Sequence, residues 1–288
     1  MIAWIWGLWS LSIQALPLAA AEPLLANYPA LPDGAACQSV AVTVNDPQLL
    51  VTVVTPGANP MQPALRMGNR NDPARTIGHD PVTRLGFLQI HGTTASAPSE
   101  WLEDARGSVG TALRAMTPGG PVKCLATGWV KQIGGKVLPL ALMRVNFDEA
   151  VPPAGTPLID SNGRVVAIVF QGTGGGNSGY AIPAEAVHRV RSDVCNGGRL
   201  VCGWLGLTLH SESQSPRIVR VLPNSPAAEA GIRPGDVLLR VGSRQISDYA
   251  DAVNAFFYLI PGQATRMKVL RGSKQMEFTL TPIRPQQE

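Results

Sequence analysis

Proline and glycine interrupt this chain so often that few stretches are long enough for a packed helix. There are 30 Gly and 25 Pro among 288 residues. Pro removes a backbone donor, and Gly raises the entropic cost of ordering a helix. The segments between the breaks are β-prone: Val40 to Val44, Leu49 to Val54, Val122 to Val130, Val137 to Val145 and Arg164 to Phe170. Runs of that length, the first two broken by Asn-Asp-Pro and Pro-Gly, read as short strands joined by turns. Hydrophobic residues make up 45% of the chain and charged ones 15%, a balance that fills cores and excludes a disordered tail. The net charge of +4 is spread without any run of like charges, so nucleic acid has no electrostatic footprint to bind.

Residues 1–21 stand apart. Ahead of Glu22, the first charged residue, lie an apolar stretch from Ile2 to Leu16 and the run Ala19-Ala20-Ala21. That is the pattern of a secretory signal peptide cleaved after Ala21. Without Lys or Arg ahead of the apolar stretch, retention as a membrane anchor is the alternative. No later segment approaches the ~18 uninterrupted apolar residues of a spanning helix, so no membrane span is expected after cleavage.

Export gives meaning to the four cysteines, Cys37, Cys124, Cys195 and Cys202. An even set suggests two disulfides, with three possible connectivities. Cys195 and Cys202 flank Asn196-Gly197-Gly198, which can turn sharply; that favours a hairpin closed by this pair and leaves Cys37 to Cys124. The spacing fits no zinc site, and neither a metal nor another cofactor is expected.

The mature chain divides in two. Over residues 22–194, two β series separated by Thr93 to Ser99 fit two small barrels, followed by an amphipathic helix from Ala184 to Arg191. Over residues 195–288, strands at Leu205 to Leu209, Arg217 to Val221, Asp236 to Val241, Arg266 to Leu270 and Gln275 to Thr281 alternate with two helices. Ser225 can cap the first helix, which starts at Pro226 and ends at Gly231. The second, Tyr249 to Tyr258, stops at Pro261-Gly262.

The stretch Asn224 to Leu239, reading NSPAAEAGIRPGDVLL, resembles the PDZ domain of bacterial HtrA/DegP-type periplasmic proteases. Gly155 to Ile168 is similar to the segment after the nucleophile in the trypsin-like domain of that family. Gly179-Tyr180-Ala181-Ile182-Pro183 resembles the Gly-Phe-Ala-Ile-Pro that closes its second barrel. The resemblance implies a mainly β protein: a trypsin-like double β-barrel followed by a PDZ domain, a β-sandwich with two helices. It also implies a periplasmic or secreted location.

Set against the family pattern, the catalytic positions are vacated. The serine position falls on Ala154, which has no group to attack a carbonyl. The glycine whose N–H helps bind the oxyanion is replaced by Pro152, which has none. Arg84 stands where the orienting aspartate begins its strand, and Thr55 where the histidine stands. Gly176-Asn177-Ser178-Gly179 copies four letters of the nucleophile motif and makes Ser178 a displaced-nucleophile candidate, but it sits in a glycine-rich loop with no Gly-Pro-Leu after it. His79, His91 and His188 read as surface or packing residues, and Trp101 and Trp129 as core.

In the PDZ region, Gly203-Trp204-Leu205-Gly206-Leu207 matches the family's carboxylate-binding loop, where backbone N–H groups converge on a peptide C-terminus and Gly206 is expected to keep side chains out of the way. Leu205, Leu207 and Leu209 would line one face, closed by Val253 and Phe256 or Phe257. The expected protein is an exported pseudoprotease that binds protein C-termini or unfolded segments, as an adaptor or regulator in envelope quality control, with an active protease or envelope complex as partner. The rivals are a serine endopeptidase using Ser178 and a purely structural docking module.

Overall fold

The computed structural model describes residues 24–67, 70–90, 99–210 and 215–285. The expected signal peptide and His91 lie outside them. Seven strands form the first unit: β1 (Leu24–Tyr28), β2 (Cys37–Thr43), β3 (Leu49–Val53), β4 (Ala64–Met67), β5 (Arg70–Pro73), β6 (Arg75–His79) and β7 (Leu85–Gln89). They pair antiparallel in the order β5-β4-β1-β2-β3-β7-β6. Asn45 takes φ +58° in the β2–β3 turn, a left-handed position that Asn tolerates better than most residues.

Six further strands close a barrel in the order β10-β13-β12-β11-β8-β9: β8 (Ala112–Thr117), β9 (Gly120–Ile133), β10 (Lys136–Phe147), β11 (Pro157–Ile159), β12 (Val165–Gly172) and β13 (Ser178–Pro183). Gly134 and Gly135, at φ +57° and +78°, form the two-residue turn between β9 and β10. A hairpin turn with both central residues at positive φ matches the strand twist and calls for glycine. Val51, Val53 and Phe87 of the first unit share a core with Leu142, Ile168 and Ile182 of the second. Trp101, in the connector between them, donates its indole N–H to Thr43 O at 2.8 Å and tucks that connector against both.

Helix α1 (Ala184–Gly197) lays Val187, Val190 and Val194 into the same core. It was expected to end at Arg191. It runs on because Val194 is buried, and it stops at Gly198, whose φ of +74° and N–H to Val194 O make a left-handed cap. The expected hairpin between Cys195 and Cys202 is therefore replaced by the last turn of a helix and an extended linker, and the expected domain boundary after residue 194 falls inside α1. All four cysteines are free thiols. Cys37 and Cys124 pack in the separate cores of the two units, which is why the structure does not join them either. Burial pushes the Cys124 thiol up to about 12.

The last unit holds β14 (Leu207–Leu209) paired with β15 (Ile218–Val221), and a sheet in the order β17-β16-β18-β19 made of β16 (Val237–Val241), β17 (Arg244–Gln245), β18 (Thr265–Arg271) and β19 (Lys274–Leu280). Both expected helices are present. Helix α2 (Pro226–Glu229) is capped by Ser225, whose Oγ accepts from Ala228 N at 3.3 Å. Helix α3 (Tyr249–Phe256) is capped by Asp248, which accepts from Asp251 N at 2.8 Å. Ile218, Leu238, Ala252, Met267 and Val269 form the core of this unit. Among the described residues, no helix is long and apolar enough to cross a membrane.

The two halves are fastened together. Phe257, just past α3, is 4% exposed and belongs to the core cluster of the front domain. Lys131 on β9 donates to Asp248 at 2.7 Å and to Asp251 at 2.9 Å. Asn254 donates to Leu138 O at 3.1 Å, and Arg189 to Leu259 O at 3.1 Å.

Candidate functional site

The loop from Gly203 to Gly206 is held from behind. Gly203 N donates to Leu259 O, Trp204 exchanges two backbone hydrogen bonds with Ile283, Leu205 O accepts from Ala227 N, and Gly206 O accepts from Leu222 N. Every one of these carbonyls is used, whereas among the described residues no hydrogen bond engages the Leu205 or Gly206 N–H. Two adjacent free N–H groups are the elements of an anion-binding nest. Strand β14 leaves this loop paired with β15 on one side only, so its other edge has backbone groups available to an added strand.

Leu207, Leu209 and Phe256 are half-buried against one cluster that also contains Leu205. Val253 is half-exposed on α3. Phe257, the alternative to Phe256, turns the other way into the front domain. Gly206 is also demanded by its own surroundings. A Cβ there would lie 2.2 Å from Ser225 Cβ, and its φ is +75°. The glycine lets the loop lie against the cap of α2, and its tolerance of positive φ sets the loop's path.

The front cleft is built differently. Val54 N donates to Arg84 O, Val40 N to Ala154 O, and Gly155 N to Val169 O. These bonds bring the segments bearing Thr55, Arg84 and Ala154 together where the two β units meet. Arg84, at φ +61°, stacks its guanidinium 3.6 Å over the Phe170 ring and donates to Gln171 Oε1 at 2.7 Å. Burial pulls its pKa below the ordinary arginine value. Pro152 is buried, and Val151 lies across the open faces of Gly172 and Gly179, where an added Cβ would meet its side chain at 3.7 and 3.1 Å. Gly155 has φ +84°, and a Cβ there would come within 1.9 Å of Val40 O.

Ser178 opens β13, and its Oγ donates to Asn146 Oδ1 at 2.6 Å. An amide oxygen anchors a hydroxyl but is too weak a base to deprotonate it. His79 is half-buried with Nε2 unpartnered, its pKa lowered by burial against the pull of Asp80. His188 meets Trp101 edge-on at 5.8 Å, so Trp101 is a packing residue as expected. Among the described residues, no histidine bonds Ser178. No group of His, Cys, Asp and Glu there has the makings of a metal site.

Comparison with known proteins bears on both halves. A PDZ domain model matches residues 203–281. The "probable periplasmic serine endoprotease DegP-like" of Chlamydia trachomatis is 25% identical over 228 residues, 72% of this chain and 46% of its own length. The protein of the same description from Pseudomonas putida W619 is 27% identical over 241 residues, 75% of this chain and 50% of its own length. The chain thus spans about half the length of these curated relatives. The solved structure described as "HtrA-type protease AlgW with tripeptide" superposes with a TM-score of 0.66 at 23% identity, covering 93% of this chain and 96% of that one. The serine endoprotease from Yersinia pestis gives 0.58 at 20%, covering 93% and 96%. With this trypsin-like fold in front and a matched PDZ domain behind, the chain is a homologue of the DegP/HtrA serine proteases.

Proposed function

We propose that the protein is an exported, periplasmic binding protein of the HtrA type that captures extended peptides by their free C-termini and does not cleave them. The observation that carries this is the open edge of β14 beside the unpaired Leu205 and Gly206 N–H groups. A terminal carboxylate accepts from both N–H groups, the last residues of the peptide add a strand to β14, and the final side chain settles between Leu207 and Phe256. That AlgW was solved with a tripeptide and the DegP-like relatives are described as periplasmic supports the same reading. Silence of the front domain rests on Ala154, Pro152, Arg84 and Thr55. The alanine has no attacking atom, Pro152 has no N–H to offer an oxyanion, and neither an orienting carboxylate nor an imidazole base stands at Arg84 or Thr55, with the Arg84 guanidinium held on Phe170 and Gln171.

The test is binding of peptide pairs, identical except for a free or an amidated C-terminus, to the chain from residue 22 onward. Ending in an apolar residue, the free peptide should bind at least about tenfold more tightly, the loss expected when a charge-assisted contact is removed. Phe256→Ala should weaken it further. Equal affinity for the two ends would overturn the assignment of the loop.

A further inference from the structure

A second cleft opens away from both regions, where the C-terminal turn of α1, the linker after it and the end of the chain meet. It has a volume of about 760 Å³ and is lined on one side by Asn196, Arg199 and Cys202 and on another by Ile260, Pro261 and Arg284. Arg199 and Arg284 come from segments 85 residues apart in sequence, and both are exposed. Among the described residues neither has an ion-pair partner, and in this they resemble several other arginines of the chain, such as Arg75, Arg114 and Arg220; what sets them apart is that they line one cleft. The carboxylate on the cleft wall, Asp193, is already engaged by Arg189 at 2.7 Å and by the Val201 N–H at 2.9 Å. The two free guanidinium groups therefore have no counter-charge from the lining. Leu200, Val201, Ile260 and Pro285 also line the cleft, apolar surface that a simple inorganic anion would leave uncovered.

We propose that this cleft binds an acidic peptide segment, two carboxylates held by Arg199 and Arg284 and intervening apolar side chains on the apolar lining. Guanidinium groups suit carboxylates because their planar donors match the two oxygens. The volume falls within the roughly 300–1,000 Å³ usual for binding clefts. The site takes an internal segment and does not depend on a free C-terminus, so it is separate from the β14 edge.

Cys202, an exposed thiol on the cleft wall, reports occupancy directly. Cys195, half-buried against the front core, is the internal reference. The rate of Cys202 alkylation by iodoacetamide relative to Cys195 is measured on the chain from residue 22 with a panel of pentapeptides. All are acetylated and amidated and carry two Glu among Leu and Pro; a matched panel carries Gln. Some Glu peptides should slow Cys202 alkylation by about fivefold or more, the Gln peptides should not, and 0.5 M salt should reverse the protection. The Arg199→Ala/Arg284→Ala variant should lose this protection while binding free C-terminal peptides at β14 unchanged, which also shows that it is folded. Protection by Gln peptides, protection that survives in the variant, or no protection by any Glu peptide would overturn the proposal. Equal protection by inorganic phosphate would do so as well, in favour of a simple anion site.

Discussion

The front cleft and the PDZ groove are both made from strand ends and turns, yet they differ in what stands beside their free backbone groups. In the front cleft, Val40 N, Val54 N and Gly155 N are bonded within the chain and Arg84 lies over Phe170, while among the described residues no hydrogen bond engages the N–H groups of Thr55, Arg84 and Ala154. In the groove, the Trp204, Leu205 and Gly206 carbonyls are used while the Leu205 and Gly206 N–H groups and one edge of β14 are left over. Buried or half-buried donors without partners are costly. The groove differs from the front cleft in setting its two free N–H groups beside an unpaired strand edge, the combination that the proposed peptide capture needs.

The sharpest way to break this comparison is to look for chemistry in the front cleft. A reduced, alkylated protein incubated with the chain from residue 22 should remain intact, and Ala154→Ser should not change that, because Pro152, Arg84 and Thr55 are still in place. Cleavage abolished by Ser178→Ala would reverse the assignment. Cleavage gained by Ala154→Ser alone would mean that the other three positions are wrongly matched.

Next in size is Phe257→Ala. Its ring lies in the front core while the neighbouring Phe256 faces the groove, so one turn of chain joins the two regions. Truncating a buried Phe costs about 3–5 kcal/mol, read as a drop in the midpoint of denaturant unfolding. If the front domain serves as the support of the groove, peptide binding should weaken too. A fragment beginning at residue 203 should likewise bind more weakly than the whole chain, since Lys131, Leu138 and Arg189 no longer hold α3 and Leu259. Binding untouched by either change would make the front domain a passenger.

The two crowded glycines distinguish the regions by function. Gly155→Ala and Gly206→Ala each force a Cβ into atoms about 2 Å away at positive φ, and each should cost roughly 2–4 kcal/mol of stability. Only Gly206→Ala should abolish capture of a free C-terminus at temperatures where both variants are folded. Loss of capture in Gly155→Ala would show that the two sites are coupled.

What the sequence revealed and what it hid follow the range of the interactions. The Ser225 cap was legible because its partner lies within a few residues. So was the PDZ stretch from Asn224 to Leu239, whose motif is contiguous. The end of α1 was misjudged because Asn196-Gly197-Gly198 has the local character of a turn, while the burial of Val194 that prolongs the helix is a tertiary effect. Arg84 on Phe170 and Gln171, 87 residues from the latter, leaves no local signal. The same is true of Val151 against Gly172 and Gly179, of Phe257 in the front core, and of Ser225 behind Gly206. At Arg84, sequence comparison gives only the loss of an aspartate. The contact that replaces it becomes visible once the two β units are packed together.

The smallest expected effect concerns the frame behind the groove. Asp236 has a side chain 1% exposed, accepts from Arg271 at 2.8 Å through both oxygens, and accepts from the Arg233 N–H at 3.0 Å. Its backbone carbonyl bonds Ile218 N, at the start of β15. Burial alone would raise its pKa, but the hydrogen bonds and charge of Arg271, with the Arg233 N–H, hold it below the ordinary value of 3.8. A carboxylate whose pKa is depressed on folding stabilises the protein at pH values above its unfolded pKa, and that contribution is lost as pH falls through the folded one. Arg271→Leu strands the carboxylate and should cost on the order of 2 kcal/mol at pH 7. The difference from the parent chain should shrink as the pH falls, because without Arg271 burial makes Asp236 of the variant take up a proton at a higher pH than the parent's does, after which it is no longer a stranded charge. Urea melts of the two chains at pH 7 and pH 3.5 measure it. Because β15 is the partner that leaves the outer edge of β14 open, the same variant should weaken peptide capture modestly at pH 7. If stability falls and capture does not, the open edge of β14 is held in place by the loop at Gly206 and not by the strand behind it.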